Sequence, residues 1–101
     1  PEQLMRSRYT AYATCNIDYI FKTMYGKPLD GFDVNDVTLW AKEIVWVKLE
    51  VLSSQLENND KGFVEFKAYY LEHNKQVILH EISEFQRKDD KWFYTHGTIL
   101  N

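Results

Sequence analysis

The sequence is short of the residues from which many functions are built. It has one cysteine, Cys15, in 101 residues. That excludes an internal disulfide and a cysteine-built zinc site, and it fits a reducing, cytoplasmic compartment. His73, His80 and His96 are scattered without ligand spacing. HEISE, from His80 to Glu84, opens like a zincin motif but ends on glutamate where the second histidine is required, so no metal is expected in this segment. Two prolines and four glycines leave no material for a flexible linker or a low-complexity tract. No apolar run approaches the ~20 residues that span a bilayer, and no secretory-leader pattern is present. Basic charge is also scarce. The net charge is −3, with Lys and Arg dispersed among acids, which argues against a nucleic-acid surface and a polybasic membrane patch.

What is present is apolar and aromatic. Hydrophobic residues make up 45% and aromatics 16%, enough for one folded domain over residues 1–101 with a single core. Pro1 and Glu2 suit the first turn of a helix whose cap would precede them, so the chain is expected to be a segment of a longer one.

Helical spacing runs through Leu4, Met5, Tyr9 and Tyr12 to about Thr14. Asn16 can cap a second helix, Ile17 to Tyr25, stopped by Gly26 and Pro28. Asp33 can cap a third, with Val34, Val37, Trp40, Ala41 and Ile44 on one side. The period then becomes alternating. Val45 to about Leu56, Phe63 to Leu71, Val77 to Arg87 and Trp92 to Leu100 read as four strands joined by turn-like ENNDKG, HN and DD. Helices followed by an antiparallel meander predict an α+β domain with the helices over one sheet face.

Two-residue turns at Asp89–Asp90 and His73–Asn74 set a register. Arg87 then faces Trp92, Phe85 faces Tyr94, and Ser83 faces His96, while Tyr70 faces Val77, Ala68 faces Leu79, and Phe66 faces Glu81. The helix-covered face therefore carries Val64, Phe66, Ala68, Tyr70, Leu79, Glu81, Ser83, Phe85, Trp92, Tyr94 and His96, extended by Val47, Leu49 and Val51. The outer face carries Glu65, Lys67, His80, Glu84, Gln86 and Thr95. It also carries Phe63, Tyr69, Ile78, Ile82 and Phe93, which, if clustered, would form a homodimer or protein-partner surface. Glu81 is the odd residue, a carboxylate in line with Leu79 and Phe85. At about 100° per residue Arg8 falls in the middle of the first helix's apolar stripe, so a buried Arg8–Glu81 ion pair is expected.

PEQLMRSRYTAY, the Asp18–Tyr19 pair, the Trp46–Leu49 spacing, GFVEFKAYY, and H-E-x-S-x-F-x-R followed by W-x-Y-x-x-G from His80 to Gly97 together resemble the central domain of YchJ-like proteins, which commonly accompanies SEC-C zinc-binding motifs. The resemblance covers nearly the whole chain. It implies an NTF2-like (cystatin-like) cone, in which three N-terminal helices pack on a curved four-stranded meander around a pocket. It brings no established activity. Zinc is implied only for flanking motifs outside these residues. The chain departs from the family at Met24, Tyr25 and Gly26, where Trp-His-Pro is common, and at His96, where Asp is frequent.

Two functions follow as expectations. The first is a non-catalytic binding or accessory module of a SEC-C-type protein. The second is a cone that binds or transforms a small molecule through Arg8, Tyr12, Glu81, Ser83, Tyr94 and His96. Ser83, His96 and Glu81 are the residue types of a hydrolytic triad, but no oxyanion hole accompanies them. No catalytic residue is assigned, and Cys15 reads as a small buried hydrophobe.

Overall fold

In a computed structural model, which describes residues 1–100, three helices precede four strands. The helices are α1 (Glu2–Ala13), α2 (Ile17–Lys22) and α3 (Val34–Glu43), with a 3₁₀ turn at Lys27–Leu29. The strands β1 (Ile44–Asn58), β2 (Lys61–Glu72), β3 (Lys75–Lys88) and β4 (Lys91–Ile99) form one antiparallel sheet in chain order.

Local chemistry accounts for the element ends. Asn16 accepts from the Tyr19 amide at 3.3 Å and Asp33 from the Asp36 amide at 3.1 Å, each satisfying an orphan donor of a first turn. Between α1 and α2 the chain reverses through Cys15 at φ 58°, with the Asn16 amide bonded back to the Ala11 carbonyl at 2.7 Å. Cys15 is half-buried at this corner rather than packed in the core. Both central residues of the His73–Asn74 and Asp89–Asp90 turns have positive φ, the geometry that matches the right-handed twist of flanking strands.

The expected register holds across β2 and β3 and at the base of the β3–β4 hairpin, where Phe85 faces Tyr94 and Arg87 faces Trp92. It fails one step further on. A bulge leaves Thr95 unpaired, so Glu84 faces His96 and Ser83 faces Gly97. The Thr95 hydroxyl donates to the Glu84 side chain at 2.8 Å. The bulge coincides with contacts on the other edge of β4, where the Tyr94 amide donates to the Thr23 carbonyl at 2.8 Å and the Tyr94 carbonyl accepts from the Tyr25 amide at 3.0 Å. Those bonds also explain why α2 stops at Lys22 instead of reaching Tyr25.

β1 carries bulges at Val47, Leu52 and Glu57. Val47 is the extra residue of the first and is 57% exposed, whereas Trp46 faces Tyr70 and takes the covered face. Val47 is thus corrected to the solvent side; Leu49 and Val51 stay on the covered face, packed against the core. Each bulge adds twist and bend, and together they curl the sheet over the helices. The core has two parts. Met5 packs with Val64, Phe66, Ala68 and Phe85 under α1, and Ala11 with Ile20 and Met24 between the helices. Full burial of a side chain such as Phe85, 1% exposed, contributes about 1.5–3 kcal/mol.

On the outer face the apolar residues are largely covered by their own neighbours. Lys48 Nζ lies 4.5 Å from the Tyr69 ring centre and Lys61 Nζ 5.7 Å from that of Phe63. Tyr69 donates to Glu50 at 3.2 Å, and Phe93 packs against Tyr25 with ring centres 6.0 Å apart. Ile82 is half-buried and Ile78 is 41% exposed. His80 meets Glu65 at 2.7 Å. No described helix is long and apolar enough to cross a membrane.

Candidate functional site

Between α1 and the curled sheet lies a cavity of about 380 Å³. α1 contributes Met5, Arg8, Tyr9 and Tyr12, whose spacing of three and four residues puts them on one helix face. Phe66 and Ala68 come from β2, and Leu79, Glu81, Ser83 and Phe85 from β3. Trp46 from β1 and Tyr94 from β4 close the sides; Met24, Pro28, Phe32, Val37 and Trp40 close the helical end.

Arg8 is the most unusual group here, a guanidinium only 6% exposed. Its Nη1 donates to the Ile20 carbonyl at 3.0 Å and to Thr23 Oγ1 at 2.6 Å. Its Cζ sits 4.6 Å from the centre of the Tyr94 ring, a cation–π distance. Burial lowers its pKa from the usual arginine value, while Tyr12, Tyr94 and Glu81 pull it back up. It remains charged, as arginine does in proteins.

Glu81 does not pair with Arg8. Its Oε2 accepts a hydrogen bond from Ser83 Oγ, and the guanidinium turns to α2 instead. The expected ion pair is corrected for a physical reason. The last turn of α2 offers Arg8 a carbonyl outside the helical hydrogen-bond ladder and a threonine hydroxyl, both at the negative end of a helix, acceptors that a stripe drawn on α1 alone does not reveal. Burial raises the Glu81 carboxyl above its ordinary value, against the lowering influence of Ser83, Arg8 and His96. Burial likewise raises Tyr12 and Tyr94.

Gly97 explains how Glu81 and Tyr94 fit side by side. A β-carbon there would run into the Tyr94 hydroxyl and lie 2.9 Å from Glu81 Oε2. The glycine that closes W-x-Y-x-x-G is therefore required by close approach, at a φ any residue could adopt.

Of the six residues proposed for a pocket, Arg8, Tyr12, Glu81, Ser83 and Tyr94 all line the cavity. His96 does not. The Thr95 bulge rotates it to an exposed position opposite Glu84, which dissolves the Ser83–His96–Glu81 triad. Alternation misplaced Trp46 because of the Val47 bulge, and it missed the aromatic cluster that Trp46 forms. Ring centres lie 5.3 Å away at Tyr9, 5.1 Å at Tyr70 and 5.9 Å at Trp40. No group of three or more His, Cys, Asp or Glu residues is gathered for a metal ion among the described residues.

The profile of the family described as "YchJ, middle NTF2-like domain" matches residues 1–97. A UPF0225 protein of Vibrio vulnificus is 38% identical over 100 residues, covering 98% of this chain and 59% of its own length. This chain thus spans about three-fifths of the curated relatives it matches. Among solved structures, a SEC-C motif containing protein from Rhodopseudomonas palustris superposes with a TM-score of 0.89 at 35% identity, over 100% of this chain and 79% of that one. A SEC-C motif containing protein from Psychrobacter arcticus gives 0.81 at 31%, over 99% and 60%. A putative Ca/calmodulin-dependent kinase II association domain from Exiguobacterium sibiricum shares the fold alone, at 14% identity and a TM-score of 0.67 over 99% of this chain and 90% of that one. The profile match over residues 1–97 and the relatives above 30% identity carry the conclusion that the chain belongs to the YchJ family, as its middle NTF2-like domain.

Proposed function

We propose that this domain is a non-catalytic module that binds a small, largely apolar molecule inside its cone. The observation that carries the reading is the 380 Å³ cavity, whose size falls in the range of about 300–1,000 Å³ typical of ligand sites. Its walls also have the usual composition of such sites, with aromatic and aliphatic side chains around a few convergent polar groups. Those groups are a guanidinium, tyrosine hydroxyls and a serine-bound carboxylate, which suit holding a polar substituent. The imidazole a hydrolase would need beside Ser83 lies on the other side of the sheet. Relatives extend well beyond the matched region, so the module is proposed to serve as an accessory part of a longer protein.

The test is an NMR titration of the chain with indole. Saturable shifts at Ala68, Leu79 and Phe85 are expected, and they should vanish in Ala68→Leu or Leu79→Phe, which fill the cavity, with the remaining spectrum kept. Absence of saturable shifts in the wild-type chain, or shifts that persist unchanged in both filled variants, would overturn the reading.

A further inference from the structure

Arg8 and Glu81 border the same cavity without meeting each other, and each keeps bonding capacity in reserve. Arg8 uses Nη1 alone, for Ile20 and Thr23, while Nε and Nη2 have no hydrogen-bond partner among the described residues. Glu81 uses Oε2 for Ser83, and Oε1 has none. Among the described residues the one buried side-chain polar atom that is sealed off without a partner is Trp46 Nε1. The free nitrogens of Arg8 and the free oxygen of Glu81 therefore keep solvent-accessible surface, on residues that line the cavity. Both residues flank Tyr94, Arg8 over the ring face and Glu81 at the hydroxyl end beside Gly97.

A buried charge that lacks a full set of partners is costly. Here one positive and one negative group have that deficit in a single enclosure. Water can fill such a site, since it supplies donors and acceptors together. A permanent ligand must do the same, with an anionic acceptor toward Arg8 and a cationic donor toward Glu81. A simple anion would satisfy Arg8 and repel Glu81; a simple cation would do the reverse. Either would also add net charge to a poorly solvated space. A zwitterion with its two charges one carbon apart answers both groups, and its third substituent would lie against Phe66, Ala68, Leu79 and Phe85.

The geometry points to a free α-amino acid with an aromatic or branched apolar side chain as the ligand of this cavity, its carboxylate on Arg8 and its ammonium on Glu81. This rests on the proposed binding role and gives it a ligand class. Arg8 suits the carboxylate because its planar fork can engage two oxygens from Nε and Nη2 while Nη1 stays tied to α2.

The experiment is calorimetry and NMR on this chain near neutral pH with L-phenylalanine, 3-phenylpropanoate, 2-phenylethylammonium and indole. L-Phenylalanine should bind at least about tenfold more tightly than either single-charge analogue, since a charge-assisted bond commonly contributes more than one such factor. Glu81→Gln, which keeps the side-chain volume, should remove that preference over 3-phenylpropanoate while its NMR spectrum keeps the dispersion of the folded chain. If 3-phenylpropanoate or the amine binds the wild-type chain as well as L-phenylalanine, or if indole alone binds, the zwitterion proposal falls and the cavity reading stands. If no probe binds, both fall. Unchanged preference in a folded Glu81→Gln would also overturn the assignment of the ammonium site.

Discussion

The Arg8 guanidinium lies over the face of Tyr94, with Cζ 4.6 Å from the ring centre. The same guanidinium is bonded to the Ile20 carbonyl and the Thr23 hydroxyl at the end of α2. One side chain thereby joins α1, α2 and β4. Tyr94 completes the junction through its backbone, which pairs with Thr23 and Tyr25. The helices are tied to the last strand by polar contacts as well as by the core.

Arg8→Met should therefore destabilise the fold by about 1.5–3 kcal/mol, because it removes the charge-assisted bonds to the Ile20 carbonyl and the Thr23 hydroxyl. Thr23→Val should cost less, since Ile20 still receives its bond. Urea unfolding of both variants and the double variant should give a coupling of at least about 0.5 kcal/mol between them, as expected for residues in contact. Strict additivity would show that the Arg8–Thr23 bond contributes nothing.

Gly97→Ala should destabilise by about 1–3 kcal/mol, the usual range for overpacking. The new methyl would collide with the Tyr94 hydroxyl and crowd Glu81 Oε2. Tyr94→Phe removes the nearer obstacle, so the same Gly97→Ala change should cost distinctly less in that background. Thermal melts of the four proteins decide the matter. An equal cost in both backgrounds would mean that the hydroxyl is not what the glycine accommodates.

Glu81 and Glu84 should respond to pH with opposite signs. The Glu81 carboxyl is raised above its ordinary 4.5, mainly by burial. Between the unfolded and folded values the native state binds more protons, so its contribution is present below 4.5 and is lost as pH rises through the folded value. Glu84 is lowered overall. Burial works against the shift, but hydrogen bonds from Thr95, Gln86 and Lys61 outweigh it. Its contribution is present above 4.5 and is lost as pH falls through the folded value. Relative to wild type, Glu81→Gln should gain stability as pH rises above 4.5, and Glu84→Gln should gain as pH falls below it. Urea midpoints across that range measure both slopes. Parallel slopes for the two variants would contradict the contrast in their surroundings.

The sequence by itself determined whatever depends on neighbours along the chain. Asn16 and Asp33 cap helices because a short side-chain oxygen reaches an amide three residues on. The His73–Asn74 and Asp89–Asp90 turns set the hairpins because two residues with positive φ allow only a narrow range of strand pairings. From that register, alternation alone places Phe66, Leu79, Glu81, Ser83, Phe85 and Tyr94 on the cavity side. Only the tertiary structure decided where alternation breaks. The extra residues at Val47 and Thr95 let the sheet curl and let β4 bond the end of α2. Relative to simple alternation, the first moves Trp46, before it, onto the covered face, and the second turns His96, after it, outward. The partner of Arg8 was likewise a tertiary choice. A stripe on α1 shows that the arginine points inward, but the acceptors that capture it belong to α2, whose placement depends on packing between separate elements. That capture leaves Glu81 facing an open cavity instead of a guanidinium.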